Sequence, residues 1–189
     1  KELLKTGPPG IESYGHAEKI ALINSGKVAI GLEWPAIIPI HENPKESVVA
    51  GKLGFFVMPK GPVRRAAVTG TWTLNIPTAA KNKDGAVKFS YWLGSYEVGK
   101  QLIKAGMSPI RYDLLKDPEL SKTHPWYQAQ MENFEVGVNR PRIPQYSQVS
   151  DTLSLYLHKA IIGEMSVESA LNKANEELTK LVKRYGYVK

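Results

Sequence analysis

Cysteine is absent from this 189-residue chain. That excludes disulfides, thiolate metal sites and a cysteine nucleophile; it fits an oxidising exterior without demanding one. No apolar run reaches the ~18 residues that a bilayer-spanning helix needs. The opening KELLKTGPPG lacks a basic stretch followed by an apolar one, so it reads as a mature chain or as one whose true start lies upstream. Acidic residues are the minority, 18 against 25 basic, for a net charge of +7. The lysines are scattered, with no basic stripe and no interleaved aromatics, which argues against a nucleic-acid binder. The four histidines, His16, His41, His124 and His158, show no metal-ligand spacing. There is no Ser-His-Asp signature, phosphate loop or dinucleotide fingerprint, no internal repeat and no low-complexity segment.

What remains is a chain of short apolar stretches cut by turns, of a length that suits one large domain or two small ones. GPPG at 7–10 is a turn cluster. Residues 14–24 read as a helix stopped by Ser25-Gly26. Three strands are expected, at 27–32, 52–59 and 66–77, the last interrupted by Gly70. Helices follow at 84–93 and 96–105, with Ser95 as a candidate N-cap, and at 126–137 after Pro125. Two prolines keep 140–146 extended. The helix at 147–162 is apolar nearly all round and is expected to be deeply buried, His158 with it. Ser166 caps the last helix, with Val167, Ala170, Leu171, Ala174, Leu178 and Leu181 on its core face. The pattern is α/β with few strands, unlike a simple doubly wound sheet.

Three segments carry a resemblance: NSGKVAIGLEW (24–34), TGTWTLNIP (69–77), and RPRIPQYSQVS (140–150) followed by GEMSVESALNKANEELTKL (163–181). GMSPIRYDLL (106–115) adds a weaker fourth. Together and in this order they resemble the family 1 extracellular solute-binding proteins, the sugar receptors of ABC importers. Thr71 stands where the family has the second glycine of its glycine-glycine-tryptophan motif. The resemblance covers nearly the whole chain. It implies a type II periplasmic-binding-protein-like α/β fold of two lobes, of which this is the C-terminal half, helix-rich with a small sheet. It also implies that residues 1–70 and 112–189 form the C-terminal lobe. Residues 71–111 would cross and pack into the N-terminal lobe, and so depend on a preceding polypeptide. The implied function is non-enzymatic: an extracytoplasmic receptor, at the periplasm or cell surface, that delivers a sugar to importer membrane subunits without any cofactor. Anchoring through a lipid or a helix would lie in the missing N-terminus.

Sugars present apolar C–H faces and a rim of hydroxyls, so rings and planar polar groups at a cleft are the candidates. Trp72 sits at the crossing, beside Gly70, and either stacks on a ligand or packs under the hinge. Covering ~80 Å² there would contribute roughly 2 kcal/mol. Trp34, before Pro35, is either a second platform or a loop anchor. Glu33 accepts hydroxyl hydrogen bonds or is simply solvated. Tyr146 and Ser150 lie at the start of a helix, where free N–H groups favour acceptors. Arg111 forks two hydroxyls or ties the crossings together. Trp126 and Tyr127 have the spacing of core residues. A carbohydrate-active enzyme or lectin-like module using the same rings is the alternative. Glycoside hydrolysis needs two carboxylates ~5–10 Å apart, and only Glu33 and, less clearly, Asp113 flank the aromatic positions.

Overall fold

A computed structural model describes residues 2–70 and 72–188; Thr71 lies outside the described residues. Helices dominate: α1 (His16–Asn24), α2 (Ile38–His41), α3 (Lys83–Leu93), α4 (Tyr96–Lys104), α5 (Tyr112–Leu115), α6 (Pro118–Thr123), α7 (Trp126–Glu135), α8 (Tyr146–Ile162) and α9 (Val167–Arg184). The described strands are β1 (Ala67–Thr69) and β2 (Gly137–Asn139). They pair in parallel, Ala67 opposite Gly137 and Thr69 opposite Asn139. The chain divides into two compact units, residues 1–19 with 141–189, and residues 20–140.

In the unit 20–140, Ile38, Ile103, Leu114, Leu115, Leu120, Trp126 and Tyr127 form the core, with Phe55, Tyr96 and Met131 packed against it. Trp126 meets Phe55 at 5.6 Å between ring centroids, and Tyr127 stacks on His124 at 4.8 Å, bearing out the core reading of Trp126 and Tyr127. Asp117 pins α4 to α6. Its carboxylate caps α6 by accepting from the Glu119 and Leu120 N–H groups, takes the Tyr96 hydroxyl at 2.6 Å, and faces Lys100 Nζ at 3.1 Å. An Asp-Pro pair before an apolar residue is the ordinary signature of such a cap.

The β1–β2 pair needs Gly137. A Cβ there would stand 2.4 Å from Thr69 Cγ2 and 2.9 Å from the Phe134 carbonyl. Thr69 Oγ1 donates to Asn139 Oδ1 at 2.7 Å and closes the far end.

In the unit formed by 1–19 and 141–189, α8 and α9 run antiparallel. Tyr156 donates to Glu177 at 2.5 Å mid-way along, while Tyr187, beyond α9, reaches Gln145, just before α8, at 2.7 Å. Ser166 caps α9 by accepting from Ser169 N, and Gly163 ends α8 with φ of 89°.

Several expectations need correction. Residues 27–32 and 52–59 form no strand, and among the described residues of 66–77 only Ala67–Thr69 are strand. A strand needs an edge to pair with, and among the described residues the first two have none. Instead, Met58 N donates to Asn133 Oδ1, and Arg65 donates to the Val57 and Met58 carbonyls. Helix α8 is not deeply buried: only Ala160 is, while Leu155, Leu157, Ile161 and Ile162 stay exposed. A single partner helix covers a single stripe. His158 is likewise exposed rather than in a core. On α9, Ala170 and Ala174 are buried, but Val167 and Leu171 are exposed.

Candidate functional site

The stretch that begins at Gly26 (φ 70°) runs past the end of α1, with Gly31 close over Ile23, and brings Glu33 and Trp34 to the foot of α2. Trp34 is held on both backbone sides. Its N–H donates to Glu33 Oε1 at 2.7 Å, and its carbonyl accepts from Ile37 N at 2.9 Å. Pro35 follows in the first turn of the short 3-10 helix Pro35–Ile37, where its fixed φ suits the start of a helix. The indole above this anchored backbone is 61 % exposed.

Glu33 is not the solvated acid that the sequence allows. Its side chain is buried, and Oε2 lies 3.6 Å from His41 Nε2. His41 is buried too, with Nδ1 2.5 Å from Asn24 Oδ1. In the sequence His41 shows only a lack of metal-ligand spacing and Asn24 carries no signal; their link joins residues 17 apart.

Gly70 and Trp72 leave the end of β1. Trp72 is fully exposed, and Leu74 and Ile76 beyond it are exposed as well. Gly70 has no positive φ, and an added Cβ would meet nothing within 4 Å. Neither conformation nor packing in the described residues requires glycine there.

Arg111 is engaged within its own unit. Nε and Nη2 grip Asp113 at 2.9 and 2.6 Å, and Nη1 donates to the Gly94 carbonyl at 3.1 Å. This bidentate grip holds the Asp113 carboxyl below its usual range, the guanidinium hydrogen bond being the main cause. Both carboxylates that flank the aromatic positions, Glu33 and Asp113, are therefore committed to internal contacts.

Tyr146 and Ser150 lie four residues apart on the first turns of α8, hence on one face, and both are half-buried. They belong to the other unit. The structure thus brings Glu33 and Trp34 together, sets Gly70 and Trp72 on one exposed stretch, and ties Arg111 to Asp113. Among the described residues, no group of three or more His, Cys, Asp or Glu could hold a metal ion. No described helix is long and apolar enough to cross a membrane.

Comparison with known proteins adds the following. The family described as "Bacterial extracellular solute-binding protein" matches residues 1–100. A probable amino-acid ABC transporter periplasmic-binding protein of Sinorhizobium fredii is 27% identical over 190 residues, covering 100% of this chain and 43% of its own. A mannitol-binding protein of Pseudomonas aeruginosa is 27% identical over 207 residues, covering 99% of this chain and 47% of its own. Among solved structures, maltose-bound MalE3 of T. maritima superposes with a TM-score of 0.81 at 31% identity, over 92% of this chain and 45% of that one. An ABC transporter solute-binding protein from Agrobacterium vitis with bound D-mannitol gives a TM-score of 0.77 at 24% identity, over 98% and 49%. The chain therefore spans about half the length of the relatives it matches. The fold is that of type II periplasmic-binding proteins, helix-rich with a small sheet, as the sequence resemblance implies. The family's proteins bind solutes and are not enzymes, which disfavours the carbohydrate-active alternative. With the family match extending over more than half of its residues, this chain belongs to the bacterial extracellular solute-binding proteins.

Proposed function

We propose that this chain is the C-terminal half of an extracytoplasmic receptor that captures a sugar or polyol between two lobes and presents it to the membrane subunits of an ABC importer. The observation that carries the reading is the pair of exposed indoles. Trp34 stands on a backbone pinned on both sides, and Trp72 is fully exposed at the end of β1. Leaving two of the largest apolar side chains in water is costly unless something covers them. The family supports an extracytoplasmic location, and a lipid or helix anchor in the preceding polypeptide completes the proposal.

In this reading Trp34 and Trp72 stack on the ligand's C–H faces and Arg111 supplies hydrogen bonds; Tyr146 and Ser150, on one face of α8 in their own unit, each offer a hydroxyl to a sugar. The contacts of Arg111 to Asp113 and Gly94 use three of its five donors, which leaves two for a hydroxyl. Glu33 serves Trp34 rather than the ligand. Gly70 admits close approach where a side chain would intrude. Of the proposed crossing 71–111, α4 is held to the core of its own unit through Ile103, and α3 belongs with the other lobe. Support for the last point comes from α3, which has no buried residue and exposes Val87, Phe89, Tyr91 and Trp92. Ligand stabilises the closed arrangement by its excess contacts there. Maltose and D-mannitol, found in the matched structures, are the first compounds to try.

The test is a thermal-shift measurement on the intact protein with maltose and D-mannitol. A compound at 100 times its dissociation constant stabilises by ~2.7 kcal/mol. Trp34→Ala and Trp72→Ala should each remove most of that shift. An undiminished shift in either variant takes that indole out of the site.

A further inference from the structure

The buried polar cluster beneath Trp34 has a role that the ligand reading leaves open. Three elements meet there: the end of α1 with Asn24, the stretch carrying Glu33, and the last residue of α2, His41. His41 is 2% exposed and Asn24 9%. The imidazole lies between two oxygens: Nδ1 is 2.5 Å from Asn24 Oδ1, while Nε2, buried without a hydrogen-bond partner among the described residues, faces Glu33 Oε2 at 3.6 Å, beyond hydrogen-bond length. The other oxygen of the same carboxylate takes the Trp34 N–H at 2.7 Å. A second tie fixes the same corner, Val48 N to the Asn24 carbonyl at 3.0 Å.

Burying a carboxylate and an imidazole is expensive unless both are paired. An apolar pair would fill this space without that cost, so a purely structural cluster would gain nothing from its polarity. What polarity adds is direction. A carboxylate that faces the imidazole with one oxygen and takes the Trp34 N–H with the other links the ring to the backbone that carries the indole. We propose that His41 is a positioning residue, which acts through Glu33 to set the orientation of the Trp34 platform. Asn24 orients the ring from its other nitrogen, as an outer partner orients a functional histidine. The role rests on Trp34 as a ligand platform.

Fluorine NMR on the intact protein labelled with 5-fluorotryptophan tests this without any ligand. Trp34→Phe and Trp72→Phe assign the two lines. His41→Gln keeps a donor near the Nε2 position and is expected to leave the Trp34 line in place. His41→Asn keeps only the Nδ1 side and is expected to shift and broaden it, with the Trp72 line unmoved. Glu33→Ala should displace the Trp34 line to a similar extent, and adding His41→Asn to it should change nothing further. Equal effects of the two His41 variants on the Trp34 line, or a Trp34 line indifferent to Glu33→Ala, overturn the proposal. If neither His41 variant folds, the Glu33→Ala spectrum decides alone. Maltose and D-mannitol are then added to the unmutated protein. A Trp34 line that answers to His41→Asn but to neither compound keeps the positioning role and removes the ligand assignment.

Discussion

Asp117 and Tyr127 carry opposite pH dependences. The Tyr96 hydrogen bond, followed by the Leu120 N–H, holds the Asp117 carboxyl well below the ordinary range. A depressed folded value contributes stability above the unfolded value, near ~3.9, and loses it as pH falls further. Acid unfolding should therefore begin below about pH 4, with Asp117→Asn flattening that limb of the curve, as read by circular dichroism against pH. Burial pushes the Tyr127 hydroxyl up to about 12. A raised value gives stability that is complete below the unfolded value, near ~10, and falls away above it. The same hydroxyl is buried without a hydrogen-bond partner among the described residues. Tyr127→Phe is thus expected to stabilise by about 1 kcal/mol at neutral pH and to remove the alkaline limb, measurable by urea unfolding at pH 7 and pH 11. At Gly70 the expectation is inaction on stability. With no atom within 4 Å of an added Cβ, Gly70→Ala should leave the melting temperature unchanged, so any loss of ligand affinity would report a close approach from outside these residues.

Between elements, the parallel β1–β2 contact is a tight joint that a single substitution can probe. Gly137→Ala must displace a backbone carbonyl 2.9 Å away as well as Thr69. Overpacking of that kind costs about 1–3 kcal/mol, and a denaturation midpoint that does not fall would show that the joint yields freely. How far the elements were legible follows from where their partners lie. Helices α3, α4, α7, α8 and α9 stood out in sequence because their hydrogen bonds are internal and their caps local: Asn82 at α3, Ser166 at α9. The strands did not. The apolar runs at 27–32 and 52–59 look like buried strands, but pairing is a non-local property. The burial of α8 is illegible for the same reason, since its pattern reports how much surface wants covering, not what is present to cover it. Trp34 and Trp72 were legible as unusual because each abuts a turn. The Asn24–His41–Glu33 support was not, because it is built by a contact between helix ends that no spacing announces.

For the whole molecule, the deciding quantity is apolar surface left in water. Trp72, Leu74 and Ile76 are exposed on one stretch, and Val87, Phe89, Tyr91 and Trp92 on the helix that follows. Large apolar side chains left exposed in this number mark a surface that wants covering, and the chain spans about half the length of its relatives. The proposed occupant is the preceding polypeptide of the same protein. Covering half of a large apolar side chain is worth roughly 1 kcal/mol, so seven of them add several. Against a typical domain stability of about 5–15 kcal/mol, that is a large share, and it should appear locally first. Amide exchange in residues 72–93 is therefore expected to be fast in the isolated 1–189 chain and strongly protected in the intact protein, while α4 and the core around Leu114 and Tyr127 differ little between the two. If 1–189 alone unfolds in one cooperative transition whose midpoint is unmoved by adding the N-terminal half, the patch needs no such partner and the two-lobe assignment of α3 falls.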